Sequence, residues 1–369
     1  MNSIRKLKKT TKVDFATYLG VIVAFVIMYI LQTGGHLSSS ISGQLVPICC
    51  FIVMAVSLNL VVGISGELSL GHAGFMSVGA FGGIIAAQSL AQTIPFVPLR
   101  LAIALIVGAL CAVVVGFIVG VPVLRLRGDY LAIVTLAFGQ IIKDLINCLL
   151  VGYDSTGLHI IFNVSGLKSI NDLHLDETGI AIIKGAQGAT SVTKLASFPA
   201  GFILVMITLI IVLNLVRSRT GRSIMAIRDN RIAAESVGIN VTKYKLMAFV
   251  VSAALAGAAG ALYGLNYGSL VSSRFDFNTS ILVLVYVVLG GLGCIWGSII
   301  ATVVLYILPE ALRQFADYRM LVYAIVLILV MLATNNPTLK AFIGMIREKI
   351  VGLRSKPAAE TTEGGAGNE

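Results

Sequence analysis

Residues 221–245, GRSIMAIRDNRIAAESVGINVTKYK, lie between two long apolar runs at 200–216 and 246–268. From residue 217 to residue 245 the chain carries seven Lys or Arg residues against two acidic ones. An excess of positive charge between membrane spans marks the cytoplasmic side of a membrane protein. This stretch therefore predicts a cytoplasmic loop at 217–245. The side of this loop fixes the orientation of all the remaining spans.

The overall composition is that of a membrane protein. Of the 369 residues, 57% are hydrophobic and only 12% are charged, and the mean hydropathy is +0.95. Soluble domains carry about one quarter charged residues. We therefore predict a polytopic integral membrane protein that contacts the lipid bilayer. The net charge of +10 is explained by positive cytoplasmic loops, so no nucleic-acid partner is expected.

Long apolar runs set the predicted number of membrane crossings. A transmembrane helix needs about 20 mainly apolar residues. Runs of this kind lie near 15–32, 44–62, 70–91, 100–124, 130–151, 200–216, 246–268 and 319–334. A further run at 279–309 is interrupted at Gly290, Gly291 and Gly293, and it is long for one helix but short for two. Placing both termini and the 217–245 loop inside requires an even number of crossings. We therefore predict ten helices, with 279–309 divided at its glycines.

The parts outside the spans are assigned to a side by their charge. Residues 1–14 are basic and are predicted to be a cytoplasmic N-terminus, whereas 152–199 holds three lysines against four carboxylates and is predicted to be an external loop. Residues 15–334 form the predicted transmembrane domain. Residues 335–369 are predicted to hold a cytoplasmic amphipathic segment followed by a disordered tail. The first apolar run is expected to remain as an anchor, because no A-x-A cleavage site follows Leu31.

Neither catalysis nor metal binding is indicated. The five cysteines lie in or beside apolar spans, without the spacing of a metal site. The four histidines are scattered along the chain: His36, His72, His159 and His174. The sequence has no G-x-x-x-x-G-K-S/T phosphate loop, so ATP hydrolysis would belong to a separate protein. We therefore expect a chain that is not an enzyme and binds no cofactor or metal itself.

A glycine-rich polar segment interrupts two of the apolar runs. Residues 63–75, GISGELSLGHAGF, place Glu67 and His72 among four glycines. An uninterrupted helix is not expected there, and discontinuous helices expose backbone dipoles that face a polar solute or another subunit. Two interpretations remain open: a buried polar pair or solvated cytoplasmic turn, or a lining of the permeation route or its gate.

The cytoplasmic loop itself contains the signals of a short helix. Asp229 or Asn230 is predicted to cap a helix that runs as far as Val237, and Gly238 is predicted to end it. Thr242 is predicted to cap the following membrane helix. Such a helix lies flat under the membrane and docks in a groove of a soluble partner. An ordinary positive-inside loop is the alternative.

Four segments in the same order resemble a known family. They are GISGELSLGHAGF, LRLRGDYLAIVTLAFGQII, GRSIMAIRDNRIAAESVGINVTKYKLMAFVVSAALAGAAGALYG and VVLGGLGCIWGS. Together, over roughly 44–334, they resemble the LivM-type permease subunits of branched-chain amino acid ABC importers. The resemblance implies an all-α permease of about ten transmembrane helices, similar to type II ABC importers, in a bacterial plasma (inner) membrane. It also implies a second, LivH-like permease, two cytoplasmic ATPases that use ATP and Mg, and an extracytoplasmic amino-acid-binding protein.

The resemblance also implies roles for particular residues. AAESVGIN is similar to the family's coupling helix, which assigns contact with the ATPase to Arg228, Asp229, Arg231, Ala233, Ala234, Glu235 and Gly238. SLGHA is similar to a family segment that makes Glu67, Ser69 and His72 candidates for the permeation route or its gate. The chain departs from the family pattern at Gln140, at DSTGLHIIF and at TNNPTLKAF. The first two departures bear on the substrate.

Other transport functions are retained as alternatives. An ABC permease for urea or another small polar solute would show the same architecture. An ion-coupled secondary transporter would need buried carboxylates along a pathway, and only Glu67 and Asp144 are candidates. A membrane enzyme would need a clustered acid, base or metal site, which the sequence does not indicate.

Overall fold

The computed structural model describes residues 2–35, 38–91, 93–126, 128–154, 157–163, 170–173 and 179–312, together with 321, 324, 325 and 328. The chain divides into two compact units, Met1–Ile307 and Leu308–Glu369. The predicted span at 319–334 lies outside the described residues except for those four positions. The predictions for the segment 335–369 lie wholly outside them.

Helices make up most of the described chain. They are α1 (Asn2–Thr33), α2 (Ser39–Asn59), α3 (His72–Ser89), α4 (Val97–Val123), α5 (Asp129–Asn147), α6 (Phe198–Arg217), α7 (Arg219–Asp229), α8 (Arg231–Ser236), α9 (Val241–Gly264), α10 (Phe277–Gly290) and α11 (Ile295–Ala311). A π-helical turn, Leu60–Ile64, continues α2. Each predicted apolar run up to residue 309 coincides with one of these helices, apart from 279–309, which forms two.

Four helical stretches are long and apolar enough to cross a membrane: Ser39–Ile64, Val97–Val123, Phe198–Arg217 and Val241–Gly264. Three shorter apolar helices accompany them, at Thr17–Thr33, Phe277–Gly290 and Ile295–Glu310. The polytopic, helical membrane fold is therefore confirmed. The number of ten crossings stays a prediction.

Small residues let the central helices pack backbone to backbone. A Cβ added to Gly79 of α3 would lie 2.0 Å from the carbonyl oxygen of Gly257 in α9. Close approach of this kind is how helices associate in lipid, where apolar side chains gain little from leaving the solvent. Helix α4 packs against the same pair, because a Cβ on Gly108 would lie 2.7 Å from the Gly79 carbonyl oxygen. Helices α3, α4 and α9 thus form a tight centre, and α2 packs beside them.

The glycine-rich run at 279–309 is divided as predicted. Helix α10 ends at Gly290, and α11 begins at Ile295. Between them Gly291 and Gly293 adopt φ values of +93° and +79°, a region in which other residues are strained. The glycines therefore make the reversal between the two helices.

A small sheet follows α5, where the sequence analysis predicted only a loop. It is antiparallel, with the order β2-β1-β3, and consists of β1 (Leu149–Asp154), β2 (Gly157–Phe162) and β3 (Ile180–Lys184). In β2, half-buried and exposed residues alternate, which is the period of a strand. The all-α description therefore holds for the membrane part, and the sheet is an addition to it.

Candidate functional site

The segment between α6 and α9 is compact and helical, and each of its helices begins with a capping side chain. We call residues 219–245 the docking segment. Asn230 caps α8 by accepting a hydrogen bond from the Ala233 amide (3.0 Å), and Gly238 follows α8 with a φ of +82°. Both features agree with the sequence prediction. Helix α7, which precedes α8, was not predicted.

The predicted cap of α9 was wrong. Asn240, rather than Thr242, accepts a hydrogen bond from the Lys243 amide (3.1 Å). The backbone of Asn240 is extended, and α9 begins at the next residue, Val241. Thr242 therefore lies inside the first helical turn, whereas the residue that caps the free amides of that turn stands before the helix.

The inner face of the docking segment is anchored to the membrane helices. Ile227, Ala234 and Val241 form one buried cluster, joining α7, α8 and α9. A second cluster joins Ile224 of α7 to Leu60 in the π-helical turn. Burying an Ile or Leu side chain contributes about 1.5–3 kcal/mol. The segment is therefore held to its own chain rather than hanging as a flexible loop.

Two large apolar side chains are exposed on what we call the outer face of α8. Ile232 in the helix is 80% exposed, and Val237, which directly follows its last residue, is 75% exposed. Beside them, Arg231 donates a hydrogen bond from Nε to Glu235 Oε1 at 2.9 Å, and Ala233 is also exposed. Apolar anchors next to a polar rim are typical of protein interfaces. The sequence analysis did not select Ile232 and Val237, although isolated apolar residues in a basic loop are a usable signal.

The predicted coupling residues divide between the two faces. Asp229, Arg231, Ala233, Glu235 and Gly238 lie on the accessible side. Ala234 does not: its side chain is only 4% exposed and packs into the inner cluster. The structure therefore disfavours contact between Ala234 and a partner. Ala234 is the buried residue of α8, and with about 3.6 residues per turn so short a helix turns little more than one residue toward the bundle.

Arg228 contacts the π-helical turn, although its side chain is 41% exposed. It donates from Nη1 to the carbonyl oxygen of Gly63 at 2.9 Å, and from Nη2 to Asp229 Oδ1 at 3.1 Å. Gly66 adopts a φ of +75°, and a Cβ there would lie 2.7 Å from Arg228 Cγ. The chain from Gly63 to Gly66 is therefore shaped around the Arg228 side chain.

Glu67 forms a second connection with the docking segment. Its carboxylate makes an ion pair and hydrogen bond with the Lys245 ammonium in the first turns of α9, and each side chain is 13% exposed. Glu67 therefore forms a shielded ion pair with Lys245. The buried Glu67–His72 pair that the sequence left open is not formed, because His72 contacts Ser57 instead.

Ser69 and His72 face the membrane helices instead. His72 is 2% exposed, with Nε2 at 2.8 Å from Ser57 Oγ of α2. Ser69 is also 2% exposed, and its hydroxyl has no hydrogen-bond partner among the described residues. The Leu70 amide donates to Thr135 Oγ1 of α5 at 3.1 Å. The start of α3 is thus surrounded by polar groups inside the bundle.

A buried asparagine, not noticed in the sequence, joins this region to the break between α10 and α11. Asn59 accepts from the Gly293 amide at 2.8 Å and donates to Ser298 Oγ at 2.9 Å. A polar side chain in the middle of the apolar run 44–62 is the signal that would have found it. Asn59, Gly63 and Glu67 therefore contact three separate parts of the chain: the break between α10 and α11, the end of α7 and the start of α9.

Metal binding finds no support in the described part of the chain. Among those residues, no group of three His, Cys, Asp or Glu side chains is placed to hold a metal ion.

The candidate site consists of two adjoining parts, the docking segment and the polar segment 65–71.

Comparison with known proteins gives consistent matches. The family described as "Branched-chain amino acid transport system / permease component" matches residues 40–331. The permease protein LivM of Salmonella typhimurium is 34% identical over 288 residues, which is 76% of this chain and 66% of LivM. The fructose import permease FruG of Bifidobacterium longum is 26% identical over 330 residues, covering 85% of this chain and 88% of FruG. LivH of Escherichia coli is 35% identical over 118 residues, or 31% of this chain and 38% of LivH. No solved structure matches the chain.

Proposed function

Because the chain belongs to the family of branched-chain amino acid transport system permease components, we propose that it is the transmembrane permease subunit of an ATP-driven importer of leucine, isoleucine and valine. The observation that supports an ATP-driven importer best is the exposed apolar face of α8. It is carried by a segment whose inner face is buried, on the side that the charge pattern predicts to be cytoplasmic.

The proposed assembly contains several further proteins. A second, LivH-like permease completes the membrane part, two cytoplasmic ATPases supply the energy with ATP and Mg, and an extracytoplasmic binding protein delivers the amino acid. The complex resides in a bacterial plasma (inner) membrane. The pairing of two different permeases is supported because proteins named LivM and LivH are both relatives of this chain. This chain performs no chemistry in the cycle.

Alternating access is the proposed mechanism. A loaded binding protein docks outside, ATP closes the two ATPases, and their movement enters this chain through α8. Ile232 and Val237 insert into a groove of one ATPase, while Arg231 and Glu235 contact its rim. Nucleotide shifts the permease between states only if the docked helix binds one state more tightly than the other. The inner anchoring supports the transmission of such a shift, because the Ile227, Ala234 and Val241 cluster packs α8 against α7 and α9.

The gate is proposed to lie at the start of α3. Ser69 and His72 are buried polar groups at the end of a discontinuous helix, an arrangement that transporters use to bind a substrate near helix ends. Glu67 belongs to the same non-helical segment and pairs with the docking segment. In this proposal, residues 65–71 are the part of the gate nearest to the cytoplasm.

A second substrate class is retained because of one comparison. The match to FruG covers 88% of that protein, against 66% for LivM, although the identity is lower, 26% against 34%. A small polar solute such as a sugar or urea is therefore the alternative cargo. An ion-coupled carrier is disfavoured, since Glu67 is paired with Lys245 and the Asp144 side chain is 68% exposed beside Lys143.

Uptake into proteoliposomes tests the proposal. The vesicles contain this chain, its candidate second permease, both ATPases and the loaded binding protein, and a matched preparation omits this chain. Radiolabelled leucine uptake that requires both ATP and this chain is the expected result. Uptake of fructose or urea in place of leucine would keep the architecture and replace the substrate. Leucine uptake that persists without this chain would contradict its role as permease.

A further inference from the structure

Two contacts join the docking segment to the chain between α2 and α3. Arg228, at the end of α7, donates to the Gly63 carbonyl oxygen at 2.9 Å. Lys245, near the start of α9, pairs with Glu67. Arg228 precedes α8 in the chain and Lys245 follows it. The two contacts therefore hold residues 63–67 to α7 and α9, the two helices that flank α8.

The Glu67–Lys245 pair is shielded from water. Each side chain is only 13% exposed, so the attraction is screened less than it is at an open surface. Removing either partner leaves the other charge unpaired in a poorly solvated place, which is more costly than losing an exposed pair. The pair is therefore a firm connection, unlike the exposed Arg231–Glu235 pair on the outer face.

The connected stretch leads directly to the start of α3. Residues 65–71 are not helical, and Glu67 precedes His72 by only five positions. Two hydrogen bonds hold the end of this stretch that leads into α3. The Leu70 amide donates to Thr135 Oγ1 at 3.1 Å, and the Ala73 amide donates to Ser280 Oγ at 3.2 Å. A displacement at Glu67 would therefore pass along this short stretch to the beginning of α3, where these two bonds fasten it to α5 and α10.

We propose that Glu67 and Arg228 are positioning residues that tie the 65–71 segment to the docking segment, so that ATP-driven movement of α8 is delivered to the start of α3 as well as to α9. This inference rests on the proposed function. Without the tie, α8 would act on the bundle only through α7 and α9, to which it is joined by the chain and by the buried Ile227, Ala234 and Val241 cluster. With the tie, one movement shifts α9 together with the 65–71 segment and the start of α3.

A charge exchange tests the tie. The variants are Glu67→Lys, Lys245→Glu and the double exchange, and Arg125→Glu is the control for a reversed charge. Arg125 lies between α4 and α5, outside the docking segment, is exposed, and makes no ion pair with any described residue. In the full complex, each single variant is expected to lower leucine uptake per ATP hydrolysed by about tenfold or more, a coupling loss within the usual range for linked sites. The double exchange is expected to restore uptake, and Arg125→Glu to leave it unchanged.

Hydrogen exchange gives a measurement that does not depend on the substrate. Exchange of the 65–71 and 229–238 amides is compared in the full complex without nucleotide and with ATP under non-hydrolysing conditions. In the wild-type chain both segments are expected to change. In Lys245→Glu the change at 229–238 is expected to remain while the change at 65–71 is lost, and the double exchange is expected to restore it.

The possible outcomes separate the tie from the proposed function. A nucleotide response at 65–71 that persists in Lys245→Glu, or that fails to return in the double exchange, overturns the tie and leaves the importer intact. No response at 229–238 in the wild-type complex overturns the proposed ATPase docking, and the tie falls with it. Normal exchange behaviour without leucine uptake supports the tie and overturns only the substrate.

Discussion

The outer face of α8 and the 65–71 segment are adjoining parts of the site, and they differ in which side chains are exposed. Ile232 of α8 and Val237 just after it are exposed to solvent. The 65–71 segment instead buries Ser69 and shields Glu67. Neighbouring exposed apolar groups mark an interaction site, whereas buried polar groups in a membrane protein are functional candidates. In the proposal, α8 therefore contacts another protein, and 65–71 contacts the membrane helices.

The largest expected effect comes from breaking the apolar face of α8. Ile232→Glu places a charge where an ATPase groove is proposed, and hot-spot residues of this kind contribute about 2–4 kcal/mol to binding. ATPase affinity should fall by about 30- to 1000-fold, measured by co-purification or binding to nanodiscs. Ile160→Glu makes the same change on strand β2, where the residue is also exposed. Equal loss of ATPase binding in both variants would show that α8 is not special.

Asn59→Ala removes hydrogen bonds from the buried polar region of the molecule. It leaves the Gly293 amide and Ser298 Oγ without their Asn59 partner, and a buried unsatisfied group costs about 1–3 kcal/mol. The unfolding temperature in detergent should fall, while ATPase binding to α8 is retained. Thr242→Ala, which removes no cap, should leave the unfolding temperature unchanged. An unchanged temperature for both variants would contradict the role given to Asn59.

Glu235→Lys tests whether the charged rim beside the apolar residues of α8 contacts the ATPase. It replaces an ion pair with Arg231 by a like-charge pair, and exposed pairs of this kind contribute only about 0.2–1 kcal/mol to stability. The protein should therefore remain inserted and folded, while uptake per ATP hydrolysed falls by about tenfold, a typical coupling energy. Uptake and ATPase association at wild-type levels in this variant would remove the rim from the docking surface.

The smallest effect on stability is expected from Ser69→Ala. The hydroxyl has no hydrogen-bond partner among the described residues, so its loss should change the free energy of unfolding by less than about 0.5 kcal/mol. If Ser69 lines the gate, the KM for leucine or the transport rate changes although stability does not. A fall in stability with unchanged transport kinetics would make Ser69 a structural residue.

Local features of the fold were predictable from the sequence. Apolar runs of helical length located the membrane helices, Gly290, Gly291 and Gly293 located the break between α10 and α11, and Gly238 located the end of α8. Each of these signals acts within a few residues of the structure it determines. The strands were missed because β1 and β2 are short and lie in a stretch that was judged by its charge alone.

Contacts between distant parts of the chain were not predictable. Glu67 and Lys245 are separated by 178 positions, and Asn59 and Gly293 by 234. No local pattern relates such residues, and their pairing follows from how α2, α9 and α10 pack. The inward direction of Ala234 was also missed, because a six-residue helix has no repeat from which a buried face can be read.

Photo-cross-linking at the docking face tests the central claim most directly. A photoreactive residue replaces Val237, which is 75% exposed on the docking segment, or Ile160 on β2, which is 51% exposed. In the assembled complex, we expect the probe at position 237 to cross-link to an ATPase subunit and the probe at 160 not to do so. A complex that hydrolyses ATP and transports leucine while position 237 forms no cross-link to the ATPase would contradict α8 as the point where the energy enters.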